Sequence, residues 1–222
     1  MGMDREQTSA PQRWMTASPA DVSAQQALGL MQMRRTVRPR NMADSAPDVT
    51  QTALILEAAA HAPDHHRHGA WRIVRVPDSA REALAQAFVD ALHERDEPPT
   101  PECIERARSK AFRSPLLMLM VVQTTAADGS SSLAENCTAA GCALQNMLLM
   151  ATAQGLVSSL TSGGTLQSRS FRALFQLSAN EYAVCFVSFA SAAACALKPG
   201  PVRPVVPQYV STLAASSIPH VH

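Results

Sequence analysis

Glycine is scarce in this chain, nine among 222 residues. A glycine-rich phosphate cradle needs several of them in one loop, so that backbone N–H groups can approach the anion unhindered. Neither G-x-x-x-x-G-K-[ST] nor G-x-G-x-x-G occurs, and G-x-S-x-G and H-E-x-x-H are absent as well. Any bound phosphate is therefore expected to be met by side chains. Lysine is scarcer still: of 19 basic residues only Lys110 and Lys198 are lysines, which leaves arginine as the ligand for an anion. A formal charge of +1 supplies no global field for nucleic acid or an anionic membrane. No apolar run approaches the roughly 20 residues of a membrane span. The early charges Asp4, Arg5 and Glu6, with no hydrophobic signal region, predict a soluble, cytoplasmic protein. The five cysteines are odd in number and form no C-x-x-C pair, so they read as reduced thiols and not as zinc ligands.

What is present divides into an aperiodic arm over 1–20, one domain over 21–212 and a short tail over 213–222. A helical pattern from Asp21 carries Ala27, Leu28, Leu30 and Met31 and ends at Arg34. Pro47-Asp48 opens a second helix, with Leu54, Ile55, Ala58 and Ala59 on one side. Trp71–Val76 alternates as a strand. Asp78 is expected to cap a third helix that buries Leu84, Phe88 and Leu92 and turns Arg81, Glu82, Asp90 and Glu94 away. A short helix follows over Glu102–Lys110, and Leu116–Val122 is a continuous apolar strand. The longest helix runs from Leu133 to about Gln154, stopped by Gly155; its apolar residues wrap nearly all round over Cys142–Ala153. Strands over Leu156–Leu160 and Tyr182–Phe189 flank a short helix at Ser168–Gln176. The tail from Lys198 to Pro207 carries four prolines and is expected to run extended over a surface. The sum is an α+β layered fold around a long buried helix.

Three segments could carry chemistry. Arg34, Arg35, Thr36, Arg38 and Arg40 place four guanidinium groups and a hydroxyl within seven residues, suited to phosphate oxygens, although composition alone favours a solvated basic turn. Asp64, His65, His66 and His68 tempt a metal reading, but their spacing sets no ligands on one helical face, and a polar loop is the simpler assignment. Leu160-Thr161-Ser162-Gly163-Gly164 offers two hydroxyls beside flexible backbone.

Taken in order, these segments resemble the FMN-dependent nitroreductase family, in particular its compact single-domain members. The resemblance rests on the helix ending Arg34-Arg35-Thr36 and on Ala59-Ala60-His61-Ala62-Pro63-Asp64-His65 before Trp71. It continues in Ala111-Phe112-Arg113-Ser114-Pro115, in the helix ending Ala153-Gln154-Gly155, in Ser162-Gly163 and in Arg203-Pro204. It implies a central, mainly antiparallel sheet flanked by helices, and a homodimer with two interfacial FMN molecules. It further implies that Arg34, Arg35 and Thr36, with Arg38 and Arg203, face the phosphate and ribityl chain. His65, with His61 nearby, and Leu160, Thr161 and Ser162 would contact flavin, and Met150–Gly155 matches a segment implied in nicotinamide binding. The implied activity is hydride transfer from NADH or NADPH through FMN to a small electron-poor acceptor such as a nitroaromatic or quinone. No catalytic side chain is required of the protein. Where compact members carry W-R-(S/T)-G this chain has Leu160-Thr161-Ser162-Gly163, and two glycines of G-F-x-x-x-G-x-P are replaced by Cys185 and Ala190. These departures keep open an alternative: a non-catalytic relative that binds flavin weakly or serves as a partner-binding dimer.

Overall fold

The computed structural model describes residues 19–63, 69–125, 131–193, 195, 200 and 202–213. Residues 1–18 of the expected arm, Asp64, His65, His66 and His68, and the end of the tail from 214 lie outside the described residues, while Pro19 and Ala20, expected in the arm, already belong to the first helix. Six helices, α1 (Pro19–Met33), α2 (Val49–Ala60), α3 (Arg81–His93), α4 (Pro101–Ser109), α5 (Leu133–Ala153) and α6 (Arg169–Leu174), surround four strands. The strands are β1 (Trp71–Val76), β2 (Leu116–Gln123), β3 (Leu156–Thr161) and β4 (Glu181–Ser191). They form one antiparallel sheet in the order β1-β2-β4-β3.

Local chemistry sets several boundaries. Asp48 accepts from the Gln51 N–H at 2.7 Å while the Gln51 side chain accepts from the Asp48 N–H, a reciprocal cap that starts α2. Ser132 and Glu135 do the same for α5. Gly155, at φ +72°, provides the left-handed turn that ends α5 and starts β3. Asp78 does not cap α3 with its side chain; it begins a 3-10 turn before the helix and faces Arg81 at 3.9 Å.

The sheet is buried on both sides, which is why β2 is apolar throughout. Leu116, Met118, Met120 and Val122 point to the layer of α2 and α5. Leu117, Leu119 and Val121 point to the layer of α3, α4 and α6. In the second layer Phe171 is fully buried among Phe88, Phe175 and Phe186.

Three expectations need correction. Arg81 is not on the solvent side of α3: it is 4% exposed, and its guanidinium donates to the Ala111 carbonyl at 2.9 Å, tying α3 to the turn before β2. Leu54 does not share the buried face of Ile55 but stands outward. Helix α5 buries Ala139, Ala140, Ala143, Leu144, Met147 and Ala151 against sheet and α2, while Gly141 and Gln145 are exposed and Leu149 and Met150 half-buried. Its cover within one chain is therefore one-sided.

Candidate functional site

The site forms where the chain leaving α1 meets the free edge of β3. Thr36 bridges Ser158 in parallel, and the Val37 N–H donates to the Ser158 carbonyl at 3.1 Å. Val37 then packs on Val157 and Ala190, so the methyl group that replaces a glycine at 190 fills a small apolar cluster. This short edge pairing brings Thr36 and Arg38 beside Leu160, Thr161 and Ser162, more than 100 residues away in sequence, with Arg34 and Arg35 just before it in the chain.

Two groups of positive charge result. In the first, the Arg34 guanidinium donates to the Thr36 hydroxyl at 3.1 Å. Burial, and then the charges of Arg203 and Arg35, press Arg34 below the usual arginine range. Arg35 donates to the carbonyls of Gln32 and Arg34. The tail backbone lies against it so closely that a Cβ at Gly200 would come within 2.9 Å of the Arg35 Cζ. None of Arg34, Arg35 and Arg203 has a carboxylate partner among the described residues. Three mutually repelling cations without an internal counter-charge form a site that an external phosphate would relieve.

Thr36 also lines the second feature, a cleft of about 520 Å³, within the ~300–1,000 Å³ usual for small-molecule sites. Its floor is the sheet: Leu117, Ser188 and Ser159 lie side by side across β2, β4 and β3, with Phe186 and Thr161 paired next to them. Its walls are Arg38 to Arg40 on one side, the turn from Lys110 to Ser114 on another, and Leu160 to Gly163 on a third. Gly163, at φ +150°, takes a backbone conformation there that a side chain would resist.

The structure brings Thr36, Arg38, Leu160, Thr161 and Ser162 together in the cleft lining, and groups Arg34 with Arg35 and Arg203, linked to the cleft through the Arg34–Thr36 hydrogen bond. His61 is exposed at the C-terminal cap of α2 and lines no part of the cleft in its own chain. His65 lies outside the described residues. The Met150–Gly155 segment closes α5 and is likewise absent from the cleft walls. Arg40, beyond Pro39, lines the cleft as well. The sequence assigned no role to Lys110, Arg113, Phe88 or Ser188, all of which line it. A usable signal was there: Arg106, Arg108, Lys110 and Arg113 recur just before the apolar β2, with one of the chain's two lysines among them. Among the described residues no cluster of His, Cys, Asp or Glu could hold a metal, and no helix is long and apolar enough to cross a membrane.

Comparison with known proteins identifies relatives of the whole fold. YdjA of Escherichia coli strain K12, named as an NAD(P)H nitroreductase, is 29% identical over 153 residues, 67% of this chain and 79% of that protein. A nitroreductase-like family protein from Bacillus cereus superposes with a TM-score of 0.68 at 19% identity, covering 84% of this chain and 95% of that one. A nitroreductase with bound FMN from Bacteroides fragilis gives 0.60 at 21% identity, covering 88% and 98%. The FMN-dependent nitroreductase NfnB from Mycobacterium smegmatis, in complex with NADPH, gives 0.63 at 18%, covering 86% and 100%. The family model matches residues 31–191, from the end of α1 through the last strand, and the chain belongs to the nitroreductase family.

Proposed function

We propose that the protein is an FMN-dependent oxidoreductase that takes hydride from NADH or NADPH and passes it to a small electron-poor acceptor such as a nitroaromatic or quinone. The observation that carries this is the uncompensated cluster of Arg34, Arg35 and Arg203, joined through the Arg34–Thr36 hydrogen bond to a cleft lined by hydroxyls. The cluster suits the FMN phosphate, which two planar guanidinium forks can hold bidentately. Thr36, Thr161 and Ser162 supply hydroxyls for the ribityl chain. When bound, FMN supplies the two-electron redox chemistry. Arg38 keeps positive charge on the cleft wall, where it favours the anionic reduced state. Phe88, Leu166 and Phe186 exclude water from the floor and raise the effect of each charge. The test is spectroscopic. Purified protein is expected to show flavin absorbance that NADH or NADPH bleaches without air and an acceptor restores. A colourless protein that also fails to quench added FMN fluorescence would overturn the reading.

We further propose a homodimer in the cytoplasm, built on residues 21–212. On α1 Leu28 and Met31 are 55% and 49% exposed, on α2 Val49 is 87% exposed, and along the tail Val202 and Leu213 are 99% and 78% exposed. Apolar groups this exposed on neighbouring elements are the surface an identical chain would cover. The open side of α5 supports the same arrangement. In such a dimer His61 would serve the site of the partner chain, which explains its distance from its own cleft. Light scattering at micromolar concentration is expected to give twice the 23.7 kDa chain mass; a soluble monomer carrying FMN would contradict it.

Thr161→Arg tests the cleft wall. Thr161 is exposed at the end of β3, with space ahead of it. A guanidinium there is expected to raise the flavin midpoint potential by roughly 30 mV, the two-electron equivalent of about 1.4 kcal/mol. An unchanged potential and an unchanged FMN affinity would remove Thr161 from the site.

A further inference from the structure

The cleft carries more positive charge than one FMN phosphate explains. With that phosphate matched to Arg34, Arg35 and Arg203, four cations still face the cleft: Arg38, Arg40, Lys110 and Arg113. No aspartate or glutamate lines it, and none of the four pairs with a carboxylate among the described residues. Lys110 and Arg113 belong to the turn that follows α4 and share the cleft lining with Arg38 and Arg40. The Arg113 guanidinium is held by the Ser109 hydroxyl at 2.8 Å, and the Lys110 ammonium lies 5.6 Å over the Phe88 ring. Burial, and then the charges of Arg113, Arg95 and Arg106, lower the Lys110 ammonium from its usual range, so this wall also lacks a counter-charge.

A second, independent observation lies on the floor. Ser188 is 1% exposed, lines the cleft, and its hydroxyl has no hydrogen-bond partner among the described residues. A buried hydroxyl without a partner is destabilising unless a ligand atom completes it. Its neighbours on the floor and wall are the Phe88 and Phe186 rings with Leu117 and Leu166, a surface for a flat aromatic body.

We propose that the Lys110–Arg113 wall, with the Ser188 hydroxyl below it, is a selectivity site for an aromatic ligand bearing its own carboxylate or comparable oxyanion. This rests on the flavin reading in one respect, since the ligand is then the electron acceptor of the oxidative half-reaction. The binding chemistry itself stands on the cleft alone. Two substrates could bring an aromatic ring with an anion: the acceptor, and the nicotinamide nucleotide. The proposal assigns the wall to the acceptor.

The experiment compares 4-nitrobenzoate with 4-nitrobenzamide, nearly equal in shape and differing by one charge. Calorimetric titration of the protein as purified is expected to give nitrobenzoate an advantage of about tenfold or more, falling as salt is raised. Lys110→Met and Arg113→Met should each remove most of it, while Lys110→Arg keeps it and reports that a folded cleft with a cation is what matters. Ser188→Ala should weaken both ligands alike. Equal affinities in the wild-type protein, or an advantage that survives in the double Met variant, would overturn the proposal. It is also overturned if the Met variants weaken NADPH or FMN by the same factor as nitrobenzoate, because the wall then serves those ligands. Loss of the flavin reading shows separately, as failure to bind FMN or to accept hydride; the benzoate–benzamide comparison on flavin-free protein still decides the wall.

Discussion

Arg34→Ala is expected to weaken FMN binding by about ten- to a hundredfold, the equivalent of one charge-assisted hydrogen bond of roughly 1.5–3 kcal/mol. Arg34 is half-buried: its charge is pressed by burial, by Arg203 and by Arg35, and its fork is aimed by the Thr36 hydroxyl. An anion at this point gains from three cations whose mutual repulsion it also removes, so the loss of one guanidinium costs attraction and geometry together. Apo-protein titrated with FMN, followed by fluorescence quenching, measures the effect. Arg40→Ala is unsuited as a control, because Arg40 lines the cleft. Arg75, exposed on the opposite edge strand β1, is the better one. Equal losses for Arg34→Ala and Arg75→Ala would withdraw the phosphate assignment.

Phe171→Ala is expected to cost about 3–5 kcal/mol of folding stability. The ring is fully buried, 4.9 Å from Phe88 in an edge-on contact, 5.9 Å from Phe175 and 6.1 Å from Phe186. Deleting it leaves a cavity between α3, α6 and β4 that the surrounding rings cannot fill without leaving their rotamers. Because Phe88 and Phe186 also form the cleft, the same substitution should loosen FMN binding, which ties packing to function through two named side chains. Urea denaturation provides the first measurement and FMN titration the second. A variant within about 1 kcal/mol of wild type would show that this cluster is not the core of the second layer.

What the sequence determined by itself is local. The continuous apolar run of β2, the caps at Asp48 and at Ser132 with Glu135, and the stop at Gly155 each depend on residues a few positions apart. Those short-range rules placed nearly every element within two or three residues of its observed ends. The side proposed to meet phosphate was legible for the same reason: Arg34, Arg35 and Thr36 are adjacent, and the lack of glycine loops pointed to side-chain donors. The resemblance between ordered motifs then led to the family. The tertiary structure decided everything that depends on which distant segments touch. Arg81 is buried because the Ala111 carbonyl, 30 residues on, needs a donor, and no periodicity in α3 encodes that need. Leu54 faces outward while Ile55, Ala58 and Ala59 are buried, because α5 covers only one side of α2. Lys110, Arg113, Ser188 and Arg40 share no motif; they meet because Thr36 pairs with Ser158 at the sheet edge and β4 sets Ser188 between Leu117 and Ser159. A backbone hydrogen bond carries no side-chain signature, so the pairing that assembles the cleft leaves no trace in the sequence, while the helices and strands it joins are written there plainly.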